Sequence, residues 1–178
     1  MATIYISIGS NVERETYVNK GLDDLCSLLG ELTVSSLYAC EAVGFEGPEF
    51  YNLVVKAITD LPLNELATRL REIEFANGRA LDAIKYSPRT LDLDLLLYDN
   101  VVCNTPVQLP RDEILKHAFV LWPLAEVAPD AIHPVNGQSY AELWQAFDRA
   151  SQQIEQEPLL WKPKQANDCQ TSSNKEST

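Results

Sequence analysis

The sequence predicts an α+β fold in which two helices cover one face of a mainly antiparallel sheet. There are three β-rich segments, at residues 3–9, 32–40 and 50–59. A segment whose apolar residues recur at helical spacing follows the first of them, and another follows the third. A fourth segment, "LDLDLLLY", is dense in leucine and is predicted to be a strand. The order strand–helix–strand–strand–helix–strand is that of a ferredoxin-like α/β sandwich, which we therefore expect.

The two predicted helices have recognisable ends. The first covers about residues 14–29, and Gly30 lies just past its end. The second starts after Pro62, a residue that favours the first turn of a helix, and Gly78 follows it. Both carry leucines or other aliphatic residues every three or four positions, so each should bury one face against the sheet.

The chain after the fourth strand is less regular. We expect "VVCN", at residues 101–104, to pair with that strand, and a short helix at about residues 111–117. Residues 139–151 are predicted to form a last helix. Its predicted buried residues are Leu143, Trp144 and Phe147.

Composition and charge exclude several classes of function. The chain has 178 residues and a net charge of −12, which argues against a general binder of nucleic acid or of anionic membranes. No apolar run approaches the length of a membrane span, and the start lacks a signal-peptide pattern, so we expect a cytoplasmic protein. Four scattered cysteines favour neither a disulfide framework nor structural zinc. We expect one domain, residues 1–161, followed by a disordered tail, residues 162–178.

Two aspartates stand inside the leucine-rich strand. Asp92 and Asp94 are two residues apart, so they share one face. Two carboxylates this close repel each other and need a compensating charge, which a magnesium ion could supply together with substrate phosphates. A polar strand face in contact with water is the alternative, and for this pattern alone it is the commoner one. The leucines expected to face the opposite way are Leu91, Leu93, Leu95 and Leu97.

Basic residues near the two aspartates favour the metal hypothesis. Arg89 precedes Asp92 by three residues, and Arg79 and Lys85 lie in the loop that leads to the strand. A polyphosphate is bound best where a metal contacts some of its oxygens and guanidinium groups contact others. The sequence therefore predicts a site for a metal-bound polyphosphate at this strand.

The same stretch resembles a known enzyme family. "SPRTLDLDLLLY" is similar to the signature of the 6-hydroxymethyl-7,8-dihydropterin pyrophosphokinases of folate biosynthesis, and other segments agree in the same order. Together they run from about residue 3 to residue 150. The supporting segments are "YISIGSN", "SSLYACEAVG", "FYNLVV", "IEFANGR" and "FVLWPLAEVAPD".

The resemblance implies both a fold and a reaction. The fold is the ferredoxin-like sandwich, and the reaction is transfer of pyrophosphate from ATP to the hydroxymethyl group of the reduced pterin, with release of AMP. Asp92 and Asp94 would bind two Mg²⁺ ions that bridge the ATP phosphates. Arg79 and Arg89 would be the catalytic arginines that stabilise the transferring group. No nucleic acid or membrane partner is implied, and we expect a monomer.

The resemblance also assigns the residues that bind the two substrates. Phe50 and Phe119 correspond to the aromatic pair that encloses the pterin, and Asn52 to the side chain that binds the edge of its ring. Other positions that match the pterin site are Val43, Gly44 and Tyr86. Positions expected near the nucleotide are Arg71, Glu74, Leu95, Arg111 and His117.

Three features depart from the family pattern. Leu81 stands where a second loop arginine is usual, and Tyr86 stands where tryptophan is usual. Near the nucleotide the usual order of a histidine and then an arginine is exchanged, because Arg111 comes first and His117 second. We hypothesise that these two residues contact the ATP phosphates in exchanged roles.

Two other functions are consistent with the same residues. One is a divergent, non-catalytic module of this fold that binds pterin or nucleotide, and the other is a phosphotransferase that moves a single phosphate. The full set of Asp92, Asp94, Arg79 and Arg89 favours an enzyme, because a binding module does not need all four.

Overall fold

The computed structural model describes residues 1–41, 47–78 and 90–163. Within these ranges, no helix combines the length and the apolar character that crossing a membrane requires. Most of the predicted tail from residue 162 lies outside them. So do some of the predicted site residues, namely Val43, Gly44, Arg79, Tyr86 and Arg89.

The described elements begin in the predicted order and then continue beyond it. The strands are β1 (Ala2–Ser10), β2 (Thr33–Val34), β3 (Leu37–Cys40), β4 (Phe50–Thr59), β5 (Asp92–Tyr98) and β6 (Ile154–Glu157). The helices are α1 (Arg14–Leu29), α2 (Leu63–Ala76), α3 (Ala118–Val127) and α4 (Tyr140–Ala146). Two short 3-10 turns lie at Asp112–Leu115 and Arg149–Ser151.

The six described strands form one sheet in the order β5-β1-β4-β3-β6, and β2 also pairs with β4. Every pairing among them is antiparallel. Without β6, the order is β5-β1-β4-β3. The last predicted strand, β5, lies on one side of β1, and the two middle strands lie on the other side of β1, which is the ferredoxin-like arrangement. The predicted α+β sandwich is therefore confirmed.

Apolar residues cover both faces of the sheet. One core lies between the sheet and the two long helices; α1 contributes Val18 and Leu22, and α2 contributes Leu66 and Leu70. A second core covers the opposite face with α3, whose Leu121 is almost fully buried. The strand–helix pattern in the first part of the chain did not predict this second core. The second core also makes the sheet a middle layer between two sets of helices.

The strand β5 keeps the predicted split of its two faces only in part. Leu91, Leu93 and Leu95 belong to the core under α1 and α2, as expected. A register shift between β1 and β5 then places Leu96 and Leu97 together in the second core. The predicted orientation of Leu97 is therefore wrong, because a β-bulge adds one residue to the strand and reverses the alternation beyond it.

Other predicted elements differ in extent. The predicted strand at residues 32–40 is divided into β2 and β3, and the predicted last helix stops at Ala146. Cys103 pairs with Leu109 in an isolated bridge, so the predicted pairing of residues 101–104 with β5 is wrong. The residues expected to be buried by the last helix are half-buried against the second core: Leu143, Trp144 and Phe147.

Candidate active site

A row of side chains crosses the sheet on the face covered by α3. Gly9 pairs with Asp92 on one side and with Asn52 on the other, and Asn52 in turn pairs with Tyr38. Directly paired residues of antiparallel strands point to the same face. The fold thus brings together an aspartate of β5 and an asparagine of β4 that are 40 residues apart in the chain.

Gly9 leaves a gap in the middle of this row. The α-carbons of Asp92 and Asn52 are separated by two strand spacings of about 4.8 Å, so roughly 10 Å. A methyl group added at Gly9 would lie 2.9 Å from Oδ1 of Asn52 and 3.8 Å from the ring of Phe50. Between the carboxylate of Asp92 and the amide of Asn52 there is therefore an open space above the backbone of Gly9. The ring of Phe50 borders this space.

Asp94 follows Asp92 on the same face and is paired with a cation. Nη2 of Arg111 lies 3.2 Å from Oδ1 of Asp94, and its Nε lies 2.5 Å from Oε2 of Glu113. The backbone N–H of Arg111 donates to the carbonyl of Leu96, which fixes the arginine beside β5. Burial alone would lower the pKa of Arg111, but Asp94 and Glu113 outweigh it and the pKa is raised. Arg111 is thus a permanent positive charge beside the aspartates.

His117 and Phe119 lie where α3 begins. Their rings are stacked, with centroids 4.8 Å apart and planes 12° apart. Burial lowers the pKa of His117, which keeps the imidazole neutral at pH 7. The side chain of Gln152 accepts from the N–H of Ala118 and donates to the carbonyl of Lys116, each at 2.8 Å. This two-sided contact holds the short segment that carries both rings.

Three residues predicted near the nucleotide lie elsewhere around β5. Glu74 is buried, and its Oε2 accepts from the backbone N–H of Leu93 at 3.3 Å. Arg71 is exposed one helical turn before it. The side chain of Leu95 is buried in the core under α1 and α2, so only its backbone could contact a ligand.

Sequence reasoning missed three residues of the site. The sequence places Gly9 only at the end of the first predicted strand, gives no role to Glu113, and offers Cys40 only as one of four scattered cysteines. Nδ2 of Asn52 donates to Sγ of Cys40 at 2.8 Å. The proximity of Glu113 to Arg111 in the chain is a signal that could have found that pair. The contacts of Gly9 and Cys40 depend on strand register, which a single sequence does not reveal.

Comparison with known proteins identifies the family of this chain. The sequence profile described as 7,8-dihydro-6-hydroxymethylpterin-pyrophosphokinase matches residues 5–129. The chain is 37% identical over 138 residues to a 2-amino-4-hydroxy-6-hydroxymethyldihydropteridine pyrophosphokinase of Aquifex aeolicus, covering 76% of this chain and 86% of that one. A protein with the same description from Pseudomonas aeruginosa is 34% identical over 145 residues, covering 79% and 88%.

Solved structures match in fold. The Plasmodium falciparum protein described as HPPK-DHPS is 12% identical with a TM-score of 0.63. The match covers 82% of this chain but only 43% of the Plasmodium chain, so it concerns the fold of one part of that protein. The profile match and the two bacterial relatives are the stronger evidence, because they span most of the sequence. The chain therefore belongs to the 7,8-dihydro-6-hydroxymethylpterin-pyrophosphokinase family.

Proposed function

We propose that this chain uses Mg²⁺ and ATP to transfer pyrophosphate to the hydroxymethyl group of 6-hydroxymethyl-7,8-dihydropterin, with release of AMP. Membership of the family makes it a pyrophosphokinase of folate biosynthesis. The observation that carries the finer proposal is the row from Asp92 across Gly9 to Asn52. It has acidic groups for a metal at one end, an amide for a ring edge at the other, and space between them.

The amide end of the row suits a flat ring with polar edges. Asn52 is 5% exposed, and such a buried amide selects for a ligand that satisfies it. Phe50 borders the same space on β4. Because His117 covers one face of the Phe119 ring, a pterin stacked on Phe119 would lie on the other face. Val43, Gly44 and Tyr86, which lie outside the described residues, remain part of this proposal.

The acidic end suits magnesium that is held jointly with phosphate. Asp92 and Asp94 are half-buried hard oxygen donors on one face. Among the described residues, no group of three or more His, Cys, Asp or Glu side chains could hold a metal ion without other ligands. Magnesium is commonly bound by one or two carboxylates plus substrate phosphates, and this donor set fits that arrangement. When bound, Mg²⁺ neutralises charge on the phosphate oxygens.

The proposed nucleotide contacts use the remaining basic groups. Two of the N–H groups of Arg111 already face Asp94 and Glu113, and a guanidinium has five donors, so others can reach a phosphate oxygen. His117 would add a second contact. Arg79 and Arg89 would contribute from the loop before β5, as the resemblance implies. The residues then act chiefly by positioning the two substrates and by stabilising charge.

One assay separates this function from its alternatives. The full chain is incubated with Mg-ATP and the reduced pterin, and the nucleotide products are identified. We expect AMP, formed only when the pterin is present. ADP would instead support transfer of a single phosphate, and the absence of any turnover, together with binding of pterin or nucleotide, would support a non-catalytic module.

A substitution at Gly9 tests the central gap. In Gly9→Ala the new methyl group would meet Oδ1 of Asn52 at 2.9 Å, and the end of that flexible side chain would have to move. We expect the affinity for the pterin to fall about tenfold or more, because the amide leaves its position, while stability changes by about 1 kcal/mol or less. Calorimetric titration and thermal unfolding measure the two effects.

Gly21→Ala provides the contrasting variant. Its methyl group would meet Cδ1 of Leu91 at 2.9 Å inside the core under α1 and α2. Overpacking of this kind costs about 1–3 kcal/mol, so stability should fall while pterin affinity is kept. Equal effects of both substitutions on pterin affinity would contradict the role assigned to the space above Gly9.

A further inference from the structure

The amide of Asn52 is held from one side by a cysteine. Register places Cys40 opposite Phe50 and Tyr38 opposite Asn52, so Cys40 lies diagonally across from Asn52 on the same face. Nδ2 of Asn52 donates to Sγ of Cys40 at 2.8 Å. Cys40 and Asn52 are both buried, at 6% and 5% exposure. Neither side chain therefore has much water available as a substitute partner.

The hydrogen bonds of the thiol fix the direction of this contact. Sγ of Cys40 lies 3.9 Å from the carbonyl oxygen of Phe50, to which the thiol donates. Burial raises the pKa of Cys40 to about 12, although the bond from Asn52 acts in the opposite direction, so the thiol stays protonated. A thiol has one proton to donate. Since that proton faces Phe50, the sulfur accepts from Asn52, and the amide cannot be reversed without losing a bond.

The carbonyl oxygen of the amide consequently faces the gap in the row. Oδ1 of Asn52 lies 2.9 Å from the position of a methyl group on Gly9, on the side of β1 and Asp92. The site thus presents a hydrogen-bond acceptor, rather than a donor, over Gly9. A ligand lying there would need an N–H group on the edge that meets Asn52.

We propose that Cys40 is a positioning residue that fixes the Asn52 amide so that its carbonyl oxygen accepts from a ring N–H of the pterin. This inference rests on the proposed function. A 2-amino-4-oxo pterin carries an N–H at ring position 3, whereas a 2,4-diaminopteridine has a lone pair there. A buried acceptor that faces a lone pair loses its hydrogen bond, so the contact selects the oxo form. Without Cys40 the Asn52 amide could rotate and present either its carbonyl oxygen or its N–H group, so that either ring type could form a hydrogen bond with it.

The test compares two ring types in four variants of the full chain. Binding of 6-hydroxymethylpterin and of 2,4-diamino-6-hydroxymethylpteridine is measured by calorimetry with Mg²⁺ and a non-hydrolysable ATP analogue. We expect the wild-type protein to prefer the pterin by about 10- to 100-fold, and Cys40→Ala and Cys40→Val to lower that preference by about tenfold. Cys40→Ser should restore it, because a hydroxyl can donate to Phe50 and accept from Asn52. Cys26→Ala, on α1, is the matched control and should leave it unchanged.

The possible results separate this inference from the proposed function. The affinity for the ATP analogue should not change in any variant. If the role of Cys40 were purely structural, its substitution would weaken the binding of both ring types equally. The inference is overturned if Cys40→Ala and Cys40→Val keep the wild-type preference, or weaken both rings by the same factor. If the wild-type protein binds neither ring, the proposed function fails, and the role of Cys40 fails with it.

Discussion

Asp92→Ala should reduce the rate of AMP formation about 10²- to 10³-fold, with little loss of folding stability. The reaction develops charge on phosphate oxygens, and the loss of one preorganised stabilising group typically costs about 10²–10³ in turnover. Asp92 is half-buried and shares its strand face with a second carboxylate, so its removal also relieves a like-charge repulsion. Steady-state kinetics and thermal unfolding measure the two effects separately.

Asp94→Ala should reduce turnover equally but cost more stability. Asp94 is 3.2 Å from Arg111, and its side chain is 32% exposed, so this partly buried pair contributes about 1 kcal/mol or less. Removing Asp94 also leaves Arg111 with fewer counter-charges in a half-buried position. The two variants should therefore lose turnover to the same extent, but Asp94→Ala should lose more folding stability than Asp92→Ala.

Asp60→Ala is a suitable control for both substitutions, because Asp60 is exposed and its Oδ1 lies 3.7 Å from the amino terminus. Its kinetics should be those of the wild-type protein. If Asp92→Ala kept substantial activity, or if it unfolded the protein, the assignment of Asp92 to the metal would be wrong. Raising the magnesium concentration should not restore the rate, since two carboxylates on one face act together in the proposed site.

Local patterns were sufficient for the first five predicted elements because each pattern reflects one buried face. The apolar stripes of α1 and α2 predicted their bounds well, and β4 has the predicted range, residues 50–59. The division between β2 and β3 was not predicted. There the hydroxyl of Ser35 accepts from the N–H of Val54, a bond that the backbone carbonyl of a regular strand would normally make.

The second half of the fold lacked such local signals. Helix α3 lies between the sheet and α4, is apolar over most of its surface and contains Pro123, so neither periodicity nor composition indicated a helix. Strand β6 is the polar segment "IEQE", and its partner β3 lies more than 100 residues earlier. Pairing over that distance depends on the tertiary fold and leaves no pattern in the strand itself.

The site could be predicted only where the relation between its residues did not depend on how the strands pair. Alternation alone placed Asp92 and Asp94 on one face, and it did so correctly because both precede the bulge in β5. The spatial relation of Asn52 to Asp92 required the pairing of β1 with two strands at once. For Arg111, the sequence suggested a phosphate contact, whereas the structure also reveals a counter-charge for Asp94.

The double substitution Arg111→Ala, His117→Ala should weaken ATP binding about 10- to 100-fold or more. Hydrogen bonds to charged groups contribute about 1.5–3 kcal/mol each, and the proposed site loses at least one of them with Arg111. Arg111 alone should account for most of the effect at pH 7. It is permanently charged, whereas burial lowers the pKa of His117 and leaves its imidazole neutral at that pH.

The dependence on pH distinguishes the two residues. As pH falls below 7, His117 gains a proton, and the imidazolium attracts phosphate more strongly than the neutral ring does. Because the pKa of His117 is lowered, the ratio of wild-type affinity to His117→Ala affinity for ATP should rise chiefly as the pH falls below about 6.5. The corresponding ratio for Arg111→Ala should stay constant, because a guanidinium does not titrate in this range.

Lys116→Ala is the matched control for Arg111→Ala. Lys116 lies at the end of the same 3-10 turn, is exposed and pairs with Asp112, so its removal takes away one positive charge without altering the contacts of Asp94. We expect at most a twofold effect on ATP affinity, since exposed charges are screened by salt. Unchanged ATP affinity in the double variant would contradict the hypothesis that Arg111 and His117 contact the ATP phosphates in exchanged roles. In that case Arg111 would serve only to balance the charge of Asp94.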